Sequence, residues 1–221
     1  MDASIGTASR WNHTAGLSAS DPVAGAGRPI FGQKGAAEKH LENNGVGAGD
    51  VFVFFGRFRR GERAASQWQY VRSCRPIHVI FGWLQVAERV PVCEWAGGAD
   101  WAQYHPHFHR KSHPANVVYV AAERLVLPGL RTPDVPGGGL FPCFTPKLQL
   151  TEPSCARTSQ WLLPEWFNPQ GRDSVLTYHG DHSRWQNAKD GVMLTAERFP
   201  FEVISPGKRR SHHLAPSGPS T

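Results

Sequence analysis

Between Tyr178 and Trp185 (YHGDHSRW) the chain brings an imidazole, a carboxylate, a guanidinium and an indole into one short stretch. Together these groups can do chemistry. His179 would serve as a general acid or base, with Asp181 orienting its ring. Arg184 would fork onto a phosphate or carboxylate, and Trp185 would stack on a base. The same residues have a plainer use, in which Asp181 caps a helix starting near Ser183 and Trp185 packs into the core. A second group is His105, His107 and His109, with His113 beyond them. In an extended segment the first three imidazoles would share one face and could bind zinc or another transition metal. Pro106 and its polar neighbours favour a loop, so the expected role is narrower: His107 stands at the rim of a pocket, and no metal ligands are assigned. Trp83 follows Gly82 in IHVIFGWLQV. It would form a stacking wall with Trp161 or Trp166 opposite, or else pack in the core.

The net charge of +6 is concentrated locally. Arg57, Arg59, Arg60, Arg63, Arg72 and Arg75 lie in one stretch with a single acid, Glu62; Lys208, Arg209 and Arg210 form a second patch. The remainder of the chain is slightly acidic. Arg57, Arg59 and Arg60 are the expected phosphate contacts; the alternative is a solvated basic loop between two strands. No nucleophile elbow, phosphate-binding loop or dinucleotide fingerprint is present, so no catalytic class or cofactor is named. The cysteines Cys74, Cys93, Cys143 and Cys155 show no C-x-x-C pair. Buried free thiols in a reducing cytoplasm are expected. No apolar run reaches the roughly 18–20 residues that a membrane span needs, and residues 1–27 do not have the pattern of a secretory leader.

The elements that must position these groups follow from the apolar pattern. Hydrophobic residues make up 40% and charged residues 19%, enough apolar material for one core. One domain is expected over 28–207, with 1–27 and 208–221 unstructured. Gly35 to Asn43 reads as a short helix ended by Asn43-Asn44-Gly45. VFVFF (Val51–Phe55), IHVIFGWLQV (Ile77–Val86) and NVVYVA (Asn116–Ala121) read as buried strands, the glycine in the second marking a bulge or a close approach. Leu125–Leu127, Leu148–Thr151 and Val175–Tyr178 are shorter strand candidates. Ser159–Phe167 reads as helical up to Pro164, and Ala196–Ile204 as a strand confined to an edge by Pro200. Strands without alternating long helices imply an α+β fold: a curved antiparallel sheet or small, partly open β-barrel with a few short helices.

Several segments, taken in order, resemble a known family. They are GQKGAAEKHLENNGVGAGDVFVFFGRFR (Gly32–Arg59), HVIFGWLQV, HPHF, NVVYVA, LPG, LQLT, SQWLLPEWF and LTYHGDHSRW. Their sequence of motifs is similar to the third family of nucleotide modification associated domains, over Ile30 to about Phe201. A looser similarity is to the pseudouridine-synthase-and-archaeosine-transglycosylase-like barrels, including the EVE type. The family resemblance implies a role beside enzymes that build modified bases in phage and bacterial DNA; it implies no settled reaction. Two departures stand out. Residues 1–27 lack the Arg-Lys-Gly-Phe-Asp-like motif and Pro-Ser-Pro stretch of the family, so its first strand is expected to be absent. Arg57 stands where the family usually has tryptophan.

The expectation is therefore a DNA- or nucleotide-associated protein, working with DNA-modification enzymes, that recognises or helps make a modified base. Trp83, His107, His179, Asp181, Arg184 and Trp185 would line its pocket. The alternatives are an enzyme acting on a nucleotide through His179 and Asp181, a metal protein using His105, His107 and His109, and a purely structural interaction module.

Overall fold

The structure is a computed structural model describing residues 28–64, 66–95, 100–109, 113, 115–132, 134–170, 174–197 and 201–206. The readings of 1–27 and 208–221, the Lys208–Arg210 patch and Pro200 lie outside these residues. In chain order the elements are β1 (Ile30–Lys34), α1 (Gly35–Asn43), β2 (Val51–Phe58), β3 (Gly61–Ala64), β4 (Gln67–Tyr70) and β5 (Ile77–Pro91). They continue with β6 (Asn116–Ala121), β7 (Gly138–Leu140), β8 (Gln160–Leu163), β9 (Trp185–Ala188), β10 (Gly191–Thr195) and β11 (Phe201–Ile204). The fold is α+β, and its main sheet is curved and open.

That sheet runs β1-β6-β5-β2-β11, antiparallel throughout, with β7 added against β5. A second sheet, β8-β10-β9, and the isolated hairpin β3-β4 complete the strands. β5 is the long member, 15 residues, and it serves two neighbourhoods: Ile77–Gln85 pairs with β2, and Val86–Pro91 pairs with β6. The register slips at Phe54/Phe55 and again at Val86/Glu88. Each slip leaves one residue of β5 over, Phe81 and Ala87, which bends the strand and curves the sheet. Gly82 beside the first slip is also a close approach: a Cβ there would lie 2.8 Å from the Gly139 carbonyl oxygen on β7. Both meanings of the strand glycine hold.

Strand alternation then sorts the core into layers. In β6 every residue is buried. Val117, Tyr119 and Ala121 face the first apolar cluster, with Phe31, Leu41, Phe52, Phe54, Leu84 and Phe201; Val118 and Val120 face another, with Ile30, Val92 and Phe108. α1 lays Leu41 into the first cluster. Phe55, next to Phe54 and so on the opposite face of β2, turns instead to a third cluster with Trp161, Leu163, Trp185, Val192 and Leu194, where the small sheet packs on the large one. The continuous apolar run of β2 thus reflects burial on two sides.

Several elements differ from the sequence reading. Ser159–Phe167 is not a helix: β8 pairs with β10, burying Trp161 and Leu163 on alternate positions, and a short 3-10 turn (Glu165–Phe167) follows Pro164. A four-residue apolar stretch has no readable period, and the partner strand decides. Leu125–Leu127 forms no strand, and Val175–Tyr178 contributes only the bridge Leu176–Ile204. Leu148–Thr151 holds two isolated bridges after a 3-10 turn. β11 lies at the edge of the main sheet, as the pattern implied. The cysteines are free but not buried; Cys93 and Cys143 are exposed.

The bend in β5 yields a prediction. Gly82→Ala forces a methyl against the Gly139 carbonyl and, at 2.9 Å, the Leu140 side chain. The variant should lose about 1–3 kcal/mol of stability, read as a lower urea midpoint with an unchanged slope.

Candidate functional site

The His179 ring is completely buried. Its Nε2 accepts the Glu197 backbone N–H at 2.8 Å, so the proton of the neutral ring resides on Nδ1, which donates to Glu202 Oε1 on β11. The other carboxylate oxygen, Oε2, accepts from the Tyr178 amide at 3.2 Å and the Thr177 hydroxyl at 3.3 Å. This network ties the segment 174–179 to the sheet edge. Both ring nitrogens are engaged within the protein, and neither faces a concavity.

Asp181 does not orient this ring. Its carboxylate accepts from the Ser183 amide (2.9 Å) and hydroxyl (2.8 Å), capping the 3-10 turn His182–Arg184. Those Ser183 bonds hold the Asp181 carboxyl below its ordinary range. Arg184 pairs with Glu197 at 2.5 Å, and Trp185 is buried with its indole N–H donated to the His179 carbonyl at 3.0 Å. The plainer use of this stretch, a cap and a core tryptophan, describes its geometry.

Trp83 is half-buried on β5. Its N–H donates to the Pro136 carbonyl at 3.0 Å, and its ring meets Phe141 at 4.9 Å between centroids. Trp161 is in the core, donating to His78 Nδ1, and Trp166 is exposed and stacked on Phe167. Neither stands opposite Trp83.

His105, Pro106, His107, Phe108 and His109 do not form a strand; Pro106–His109 is a 3-10 turn. The imidazoles therefore lose a common face. His107 Nδ1 is 2.5 Å from Asn116 Oδ1, and its ring fills the space a side chain at Gly32 would need. With Lys34, Pro106 and Asn116 it lines a depression of about 180 Å³. His105 is buried with no hydrogen-bond partner for Nε2, and burial, then the neighbouring His107, pushes it down to about 4. Among the described residues no three metal-ligating side chains are grouped.

These positions do not converge. His107 lies against β1 and β6, Trp83 on β5, and His179 against β11. The sheet curves enough to bring the rings of Phe31 (β1) and Phe201 (β11) within 5.1 Å, but His107 and His179 meet Gly32 and Glu202, the next residues along, which face away from that contact.

The arginine stretch is placed differently. It is not a plain loop: β3 and β4 form a hairpin whose described residues are all exposed. Arg59 holds its base, with Nε donating to the Cys74 carbonyl at 2.9 Å and Nη2 to those of Arg72 (3.1 Å) and Val71 (3.2 Å). Arg57, Arg60, Arg63, Arg72 and Arg75 are exposed, and among the described residues none forms an ion pair.

Three functional groupings escaped the sequence reading. Glu202 has no local motif to mark it. Glu38, buried in α1, accepts from Arg89 at 2.7 and 3.0 Å and from the Tyr119 hydroxyl at 3.0 Å; burial nevertheless raises its carboxyl above the ordinary range. Its signal was a glutamate at a helix position one turn from Leu41, on the core face. Trp68 and Tyr70 flank Gln69 in β4, an i, i+2 aromatic pair inside the arginine stretch that was there to be read.

The model for nucleotide modification associated domain 3 matches residues 17–204, and the chain belongs to that family. No curated protein and no solved structure matches it. No helix among the described residues is long and apolar enough to cross a membrane.

Two measurements follow. Glu202→Ala removes the acceptor of the buried Thr177 hydroxyl and His179 ring and of the Tyr178 amide and should cost about 3 kcal/mol or more; Glu202→Gln, which keeps one acceptor oxygen, should cost less in the same denaturant titration. His105 is depressed from 6.5 to about 4 in the fold, so the unfolded chain binds the extra proton between those values. Its contribution is complete above pH 6.5 and is lost as pH falls toward 4, up to about 3 kcal/mol. In His105→Leu the stability decline over that window should be shallower than in the parent.

Proposed function

We propose that this chain is a nucleic-acid-contacting module of a DNA base-modification system, holding DNA for enzymes that make or act on a modified base. Family membership supports the link to nucleotide modification. The arginine hairpin supports the contact itself. Arg28, Arg89, Arg124 and Arg184 are paired with carboxylates; among the described residues Arg131 and Arg157 stand singly without one, whereas five unpaired arginines are gathered at the β2–β5 end. Exposed, unneutralised guanidinium groups on a projecting element suit phosphate backbones, because binding there releases condensed counterions. Arg57 and Arg60 are phosphate contacts in this reading, and Arg59 positions the hairpin that carries the others. In this reading the depression beside His107 receives a base. Free thiols at Cys93 and Cys143 fit a reducing cytoplasm.

The test is DNA affinity against salt. The logarithm of the binding constant should fall linearly with log salt, by about 0.9 per phosphate neutralised on duplex. An Arg60→Ala, Arg72→Ala double variant should flatten that slope by about two. Binding that is absent, or indifferent to salt, would sink the proposal.

A further inference from the structure

Directly paired residues of an antiparallel hairpin project to one face. In β3-β4 the pairs are Gly61 with Tyr70 and Arg63 with Trp68, so one face carries Tyr70, Trp68 and Arg63. The other face carries Glu62, Ala64, Gln67 and Gln69, with Gln69 donating to Glu62 at 3.2 Å. Trp68 and Tyr70 are each 67% exposed. The Trp68 ring lies over Gly61, where a Cβ would be 3.6 Å away, and the Arg59 guanidinium sits 5.7 Å from the centre of the Tyr70 ring. The Trp68 ring thus rests against the strand backbone at Gly61, and Arg59, fixed by backbone carbonyls, braces the Tyr70 ring from the hairpin base.

Two large rings left two-thirds exposed on a two-stranded hairpin contribute little to the fold. Such a hairpin is marginal alone, and exposed aromatic groups of this kind mark interaction surfaces. We infer that the Trp68–Tyr70 face is a stacking platform for the unpaired bases of a single-stranded nucleic acid, with Arg63 on the same face meeting its phosphates. This rests on the DNA-contacting reading above and names its substrate as single strand rather than duplex. Chemistry favours that occupant. Flat rings interleaved with unpaired arginines match a polyanion that exposes π-faces, and a duplex keeps those faces inside its own stack.

The experiment compares a fluorescently labelled oligothymidylate with a mixed-sequence duplex of equal length, by anisotropy at fixed salt. The parent protein should prefer the single strand. Trp68→Ala and Tyr70→Ala, both at exposed positions and checked for an unchanged melting temperature, should each weaken single-strand binding by about fivefold to a hundredfold. Their duplex affinity and salt slope should stay as in the parent. If both variants bind oligothymidylate as the parent does, or if the parent prefers duplex, the stacking platform is overturned while the phosphate-contacting reading stands. If the parent binds neither strand form, both fall.

Discussion

Everything in this fold depends on β5 bending without breaking its pairing. A straight strand of 15 residues would extend about 50 Å and could not serve both β2 and β6 in one compact sheet. The leftover residues Phe81 and Ala87 provide the bends, and Gly82 lets β7 approach where a side chain would stand in the way. Alternation alone sends Phe52 and Phe54 of β2 into one cluster and Phe55 into another; the bulge in β5 lets Phe81, three residues before Leu84, join it in the first cluster. The hairpin β3-β4 is inserted between β2 and β5, so its direction is inherited from the same pairing.

Around that strand, buried polar groups act as ties. Glu38 fastens α1 to β5 and β6, Glu202 fastens the His179 segment to β11, and Gln85 clamps the loop at Val126 through both ends of its amide. Each is costly to bury alone and tolerable because its partners are complete. Such groups define one arrangement among many that would bury similar apolar area. The density of polar types at Tyr178–Trp185 fits the same pattern: His179, Asp181, Arg184 and Trp185 all have partners within the fold.

The contrast with the hairpin is what the proposed function rests on. Inside, Glu38, Gln85 and Glu202 have their partners; on and beside β3-β4, guanidinium groups and aromatic rings face water. The chain belongs to a nucleotide-modification family, and this is the part of its described surface where arginines and exposed aromatic rings lie together.

How much of this was legible depends on range. α1 ran over the residues its alanines and Asn-Asn-Gly stop implied, and β2, β5 and β6 were readable because long apolar runs leave few alternatives. The α+β class, the open curved sheet and the family followed from those strands and their motifs. β8 was misread because four residues carry no period and its strand identity comes from β10. His179 could not be judged locally, since its partner Glu202 lies 23 residues away, and Glu38 meets Tyr119 across 81. The sequence by itself determined which segments must be buried strands and that a basic stretch separates two of them. Only the tertiary structure decided which polar residues are consumed in the interior and that Trp68 and Tyr70 stay exposed. Burial of a single side chain is set by pairings distant in the chain, which composition and spacing do not encode.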